Sequence, residues 1–180
     1  IYLISHLLQG KRSLIIYPSF AEYESACNLF NHIIKHMPHS LLDTATQHTT
    51  DAIWITNPNN PDGRVLKRSE IEALCISNPQ ATIIIDEAYG ELCYDFESAT
   101  PLIEKFPNCI VIKSLTKLFS IPGLRIGYII AAPTMIESIR ELTMPWSLNA
   151  LAIAAGIEIF SHFSHYAPDV RPYLRESQRF

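Results

Sequence analysis

The chain has 180 residues, 48% of them apolar and 18% charged, with a net charge of −4 and a pI near 6.0. That balance excludes disorder, predicts one substantial buried core, and lacks the basic face that nucleic-acid binding demands. Cys27, Cys75, Cys93 and Cys109 are scattered without a C-x-x-C pair, which favours a reduced, cytoplasmic chain. The most apolar stretch, 148–160, is broken by Gly156 and Glu158 and is too short for a membrane span.

The opening "IYLISHLLQGKRSLIIYP" reads as the tail of a helix running into a strand, the pattern expected of a piece cut from a longer protein. Continuous apolar runs follow: "SLIIYP", "AIWITN", "ATIIIDEAY", "CIVIKS" and "LRIGYIIA". Runs of that kind, without alternation, predict strands buried on both faces of a mainly parallel sheet. Helical patterns lie between them at 21–35, 69–77 and 98–105, with Ser69 expected as N-cap and Glu72 at the capping-box position. Further helices are expected over 133–142, 148–161 and about 168–180. The fold class is α/β, doubly wound, entering a helical tail.

In such sheets working residues collect at the carboxyl ends of strands. Here those ends read "YPSFAEY", "TNPNNPDG", "DEAYGELCY" and "KSLTK", all rich in polar, aromatic or turn-forming residues.

Each motif has competing readings. "IIIDEAY" resembles a magnesium-holding strand of nucleotide hydrolases, but no G-x-x-x-x-G-K-[ST] loop accompanies it, and "GKRS" at Gly10 does not supply one. Plain solvent-facing acids at a strand end are the simpler alternative. "SLTK" matches the S-x-x-K of serine acyl-transfer enzymes, with "SLN" at Ser147 as a second element. The K-T-G element is absent, and the motif ends a strand instead of opening a buried helix. In "HIIKHMPH", the spacing of His32 and His36 puts both on one face of the expected helix. With Lys35 and Pro38 beside them and His39 following, a solvated helix end is favoured over a metal site. His162 and His165 receive the same reading, and no metal is expected. "TNPNNPDG" is, by composition, a turn.

Taken together, "PSFAEY", "NPNNPDG", "DEAY" and "SLTKLFSIPGLRIGY" resemble the fold-type-I pyridoxal-phosphate (PLP) enzymes of the aspartate aminotransferase superfamily. The similarity is to the histidinol-phosphate aminotransferase-like branch, and it spans essentially the whole chain. Within that branch, "PSFAEY", "SLTK" with "SIPGLR" and "MPWSLNALA" are more similar to the threonine-phosphate decarboxylases of cobalamin biosynthesis than to the aminotransferases. The resemblance implies a three-layer α/β/α domain with a mostly parallel sheet. Residues 1–145 would form the core of the PLP-binding domain and 146–180 would lead toward a smaller domain absent from this chain. It implies decarboxylation of L-threonine O-3-phosphate to (R)-1-aminopropan-2-yl phosphate. The alternatives are amino transfer, as on histidinol phosphate, or a non-catalytic domain of the same fold.

The resemblance also implies roles. Lys117 matches the lysine that forms an imine with PLP, which solves the problem of placing a lysine in an apolar setting. Released by substrate, the same amine moves protons. Asp86 matches the carboxylate that keeps the pyridine nitrogen protonated, so Asp86→Asn is expected to cripple chemistry more than cofactor docking. Asn60 and Tyr89 match donors to the ring hydroxyl, and Phe20 matches the aromatic stacked on the ring. Ser114 and Arg125 match phosphate ligands, with Thr116 adding a hydroxyl. Tyr23 is expected near a small phosphorylated amino-acid substrate. Asn149 faces either that substrate or a helix N-terminus.

One departure stands out: Asp62 occupies the place where the family usually has Thr or Ser. Two family elements are missing, a glycine-containing phosphate loop expected before Ile1 and a substrate-gripping arginine expected after Phe180. The family also implies a homodimer whose subunits complete each other's sites. The isolated chain is therefore expected to bind PLP weakly and to lack turnover.

Overall fold

The computed structural model describes residues 1–42, 49–166, 169, 170, 172 and 176. Six strands form one sheet: β1 Arg12–Tyr17, β2 Ile33–Pro38, β3 Ala52–Thr56, β4 Thr82–Asp86, β5 Cys109–Ser114 and β6 Gly127–Ala131. Their order is β2-β1-β3-β4-β5-β6, with every pair parallel except β5 and β6. The five runs expected as strands therefore form strands, and the mostly parallel α/β architecture is present. The order reverses beside β1, where parallel sheets leave a crevice at the strand ends.

The apolar runs are continuous because both faces are covered. β3 and β4 are buried at every position. On one face Ile15, Trp54, Ile84 and Ile110 pack against Ile4 of α1 (Tyr2–Leu7), Tyr23 and Cys27 of α2 (Glu22–Leu29), and Ile139 of α5 (Pro133–Glu141). On the other, Leu14, Ile53, Ile85 and Val111 meet Ile71 and Leu74 of α3 (Arg68–Ser77) and Leu102 of a 3-10 helix, Thr100–Glu104. A third cluster joins Leu115 of the short α4 (Leu115–Leu118) and Ile126 to Ala152 and Ile159 of α6 (Ala150–Ser161). α7 (Phe163–Tyr166) follows. The four cysteines are free thiols, and among the described residues no helix is long and apolar enough to cross a membrane.

Three expectations change. The helix over 21–35 stops at Leu29: Asn31 takes a left-handed φ of 56°, and the β-branched pair Ile33–Ile34 then enters β2. The helical face expected for His32 and His36 consequently does not form. His32 is buried, with Nδ1 against Ser13 Oγ and Nε2 against the Ser5 carbonyl, each at 2.8 Å, whereas His36 faces Glu24 at 3.4 Å. The N-cap of α3 lies two residues early, at Lys67, and Ser69 is inside the helix. Glu70, not Glu72, returns to accept the Lys67 N–H at 2.7 Å. The helix over 98–105 narrows to the 3-10 turn that carries Pro101 near its start. The helix expected over 168–180 falls almost entirely outside the described residues.

Candidate active site

The carboxyl ends of β1, β3, β4 and β5 converge. β4 delivers Asp86, only 6% exposed, beside Thr56, its register partner on β3. Tyr23, in the first turn of α2, lies across both: its hydroxyl donates to Asp86 Oδ2 at 2.8 Å and accepts from Thr56 Oγ1 at 3.0 Å. Asp86 Oδ1 accepts the Ala88 N–H at 3.0 Å. Tyr23 is held by stacking on Trp54 (centroids 5.6 Å apart, 27° between planes), and Trp54 donates its indole N–H to Ser13 Oγ at 3.3 Å. The sequence "FAEY" thus places Phe20 in the open and Tyr23 beneath it, edge to face at 5.9 Å.

Electrostatics follow from burial. Desolvation pushes the Asp86 carboxyl above its ordinary range, opposed by the Tyr23 and Ala88 hydrogen bonds and by the charges of the Ile1 N-terminal ammonium and Lys117. Burial, with the Asp86 charge added to it, drives the Tyr23 hydroxyl well up, so it remains a donor. Among the described residues no Lys, Arg or His lies within 4 Å of the Asp86 carboxylate. A buried carboxylate served only by neutral donors is a site that a cation would complete.

β5 leads into α4 and brings Ser114, Thr116 and Lys117 together. Ser114 Oγ and Thr116 Oγ1 are 2.8 Å apart, and Lys117 Nζ donates to Thr116 Oγ1 at 3.1 Å. The same ammonium lies 5.8 Å from the centroid of the Tyr89 ring. Lys117 is half-buried and, among the described residues, has no carboxylate within ion-pair distance. Arg125 sits exposed just before β6 with a left-handed φ of 54°, its guanidinium donating to the Pro122 carbonyl at 3.1 Å.

The segment 57–63 forms the expected turn. Asn57 exchanges two hydrogen bonds with the Leu66 backbone, and its own N–H donates to the Asp86 carbonyl at 2.8 Å, tying the turn to β4. Gly63 takes φ +70°, a conformation that strains any side chain. Asn60 is half-buried on this turn. Asp62 Oδ1 accepts from Asn59 Nδ2 at 2.7 Å and from the Arg64 N–H at 3.1 Å, and these bonds, the Asn59 one foremost, hold its carboxyl below the usual range. The family departure at 62 therefore stabilises the turn, since one carboxylate oxygen serves two local donors.

Tyr23 and Asn149, the two substrate candidates, both have partners within the chain. Tyr23 is 1% exposed and its hydroxyl is shared between Asp86 and Thr56. Asn149 is the N-cap of α6: Oδ1 accepts the Ala152 N–H at 2.9 Å, and Nδ2 donates to the Leu124 carbonyl at 3.3 Å. Its two alternatives resolve toward the helix N-terminus. Sequence reasoning overlooked Thr56, although its place at the end of a strand adjacent to β4 was a usable signal. It also overlooked the second lysine, Lys113, four residues before Lys117.

Comparison with known proteins places this geometry in a family. The family model "Aminotransferase class I and II" matches residues 2–179. The chain belongs to that family. Histidinol-phosphate aminotransferase from Caldicellulosiruptor saccharolyticus is 31% identical over 166 residues, which cover 87% of this chain and 46% of that protein. The crystal structure of L-threonine-O-3-phosphate decarboxylase from Porphyromonas gingivalis superposes with a TM-score of 0.90 at 36% identity, covering 97% of this chain and 56% of that one. Histidinol-phosphate aminotransferase from Clostridium acetobutylicum gives a TM-score of 0.74 at 30% identity, over 87% of this chain and 50% of that one. The chain thus spans about half the length of the relatives it matches. Histidinol-phosphate aminotransferase from Sinorhizobium meliloti, solved in complex with pyridoxal 5'-phosphate, shares the fold with a TM-score of 0.81 at 17% identity over 92% of this chain and 48% of that one.

Proposed function

We propose that the whole protein is a PLP-dependent decarboxylase acting on L-threonine O-3-phosphate, yielding (R)-1-aminopropan-2-yl phosphate. The observation that carries the cofactor half of this reading is the buried Asp86 carboxylate, which among the described residues has no Lys, Arg or His within 4 Å, with Lys117 near it and bonded to the Thr116 hydroxyl. The likeness to the P. gingivalis decarboxylase supports the substrate half. Amino transfer is the second reading, favoured by the 31% identity to the C. saccharolyticus aminotransferase over 87% of the chain.

When bound, PLP accepts the electron pair left at the substrate's α-carbon. The chain's own residues divide the remaining work. Asp86 holds the ring nitrogen's proton, and Tyr23 with Thr56 fixes the carboxylate that does so. Lys117 Nζ would hold the cofactor and, as an acid, would deliver the proton that replaces carbon dioxide at the α-carbon. Asn60 and Tyr89 would donate to the ring hydroxyl, and Phe20, 42% exposed, would stack on the ring. Ser114, Thr116 and Arg125 bind the phosphate, where hydroxyls and a guanidinium suit a dianion. In this reading the chain is the core of a cofactor-binding domain, and the protein acts as a cytoplasmic homodimer.

The test is an assay of the full-length protein with threonine phosphate. Carbon dioxide release without any keto acid supports the decarboxylase. Amino transfer dependent on a keto acid, without carbon dioxide release, replaces it with the second reading.

A further inference from the structure

Glu87 follows Asp86 and points to the opposite face of the sheet, where it anchors a second polar cluster. It is fully buried. Its Oε1 accepts the Ala99 N–H at 2.6 Å, and its Oε2 accepts from Ser98 Oγ at 2.6 Å and pairs with Lys113 Nζ at 2.8 Å. Lys113, buried near the end of β5, also donates to Glu91 Oε1 at 2.6 Å, and its ammonium lies 5.7 Å from the Phe96 ring centroid. Burial pulls the Lys113 ammonium's pKa down, but the two carboxylates outweigh it and the net direction is up, so the lysine stays charged. Gly90 lies flat against Phe96, where a Cβ would collide with the ring.

This cluster brackets a residue of the candidate active site. Glu87 and Glu91 stand two residues before and two residues after Tyr89, and both reach Lys113, whereas Tyr89 lies beside Lys117. Lys113 and Lys117 are themselves joined by the short β5–α4 junction. Buried ion pairs add little net stability over apolar packing, so geometry is their better-supported use. Charge-assisted hydrogen bonds hold narrow distances and directions. We propose that Lys113, paired with Glu87 and Glu91, is a positioning residue that holds Tyr89 against Lys117. The inference rests on the reading that Tyr89 and Lys117 hold the cofactor.

A double-mutant cycle in the full-length protein tests it, with the PLP dissociation constant measured by absorbance titration. Lys113→Met alone strands a buried carboxylate, so the neutral pair Glu87→Gln/Lys113→Met is used. The amide introduced by Glu87→Gln still accepts the Ala99 N–H and donates to Ser98 Oγ. The pair is expected to weaken PLP binding about tenfold alone and less than about twofold in a Tyr89→Ala background. Lys113→Arg, which keeps the charge, should remain within about threefold of the parent. If the pair fails to fold, Glu91→Gln at the half-exposed end carries the same cycle with an effect of about threefold. A full loss that persists without Tyr89, or no loss in the parent, overturns the positioning role and leaves the cofactor reading standing. Unchanged PLP binding in Tyr89→Ala alone overturns the cofactor reading for that residue instead.

Discussion

Replacing Asp86 by Asn separates the cost of a buried charge from its chemical use. The carboxylate is 6% exposed and receives Tyr23 Oη on one oxygen and the Ala88 N–H on the other. An asparagine keeps every one of these contacts if the chain of hydroxyls reverses. Oδ1 accepts from Ala88, Nδ2 donates to Tyr23 Oη, and Tyr23 then donates to Thr56 Oγ1. Two hydrogen bonds persist but lose charge assistance, about 0.5–1.5 kcal/mol each, while the desolvation of a charge is relieved. The terms oppose, so the cofactor-free protein should unfold within about 3 °C of the parent at neutral pH. The pH dependence has a fixed sign. Burial raises the folded-state pKa, so the folded state holds more protons than the unfolded state between the ordinary carboxylate value and the raised one. Asp86's contribution to stability therefore falls as pH rises through that window, and the variant's relative stability improves from acid to neutral. Turnover should fall about 10²–10³-fold because the ring nitrogen loses its anion, whereas PLP affinity falls only about tenfold. Thermal melts across pH, PLP titration and steady-state kinetics check the three parts. Unfolding more than about 10 °C early, or near-parental turnover, refutes the reasoning.

Other perturbations test neighbouring roles. Tyr23→Phe removes the hydrogen bond that lowers the Asp86 pKa, so the acidic limb of the pH–rate profile should move to higher pH, with a stability loss of about 1–2 kcal/mol by denaturant titration. An unmoved limb would detach Tyr23 from the carboxylate's function. Asn149→Ala should cost about 1 kcal/mol from the lost cap, with KM unchanged; a raised KM would return Asn149 to the substrate side. Arg125→Gly relieves a left-handed side chain that costs about 1 kcal/mol, so the cofactor-free protein should melt no lower than the parent while PLP binding weakens at least about tenfold. Retained PLP affinity would exclude Arg125 as a phosphate ligand.

Much of this was legible in the residues. The five apolar runs fixed the strands because parallel sheets bury both faces, and the polar strand ends marked where the side chains would meet. Periodicity failed where segments were short and locally ambiguous: "NHIIKHMP" carries enough helix-compatible spacing to hide a strand, and Asn31 was the punctuation overlooked. The partners of Tyr23 were hidden for a different reason. A one-turn offset from Phe20 suggested proximity to substrate but did not say that Trp54 would support the ring below the site. Lys113 was invisible as a partner of Glu87 because strand pairing across the β4–β5 ends, not sequence spacing, brings them together.

The most direct test of the central claim is borohydride reduction of the full-length holoprotein followed by peptide mapping. One label, on Lys117, is expected, since Lys113 is occupied by two carboxylates and Lys117 by none among the described residues. Label on Lys113 or on any other residue would contradict the account.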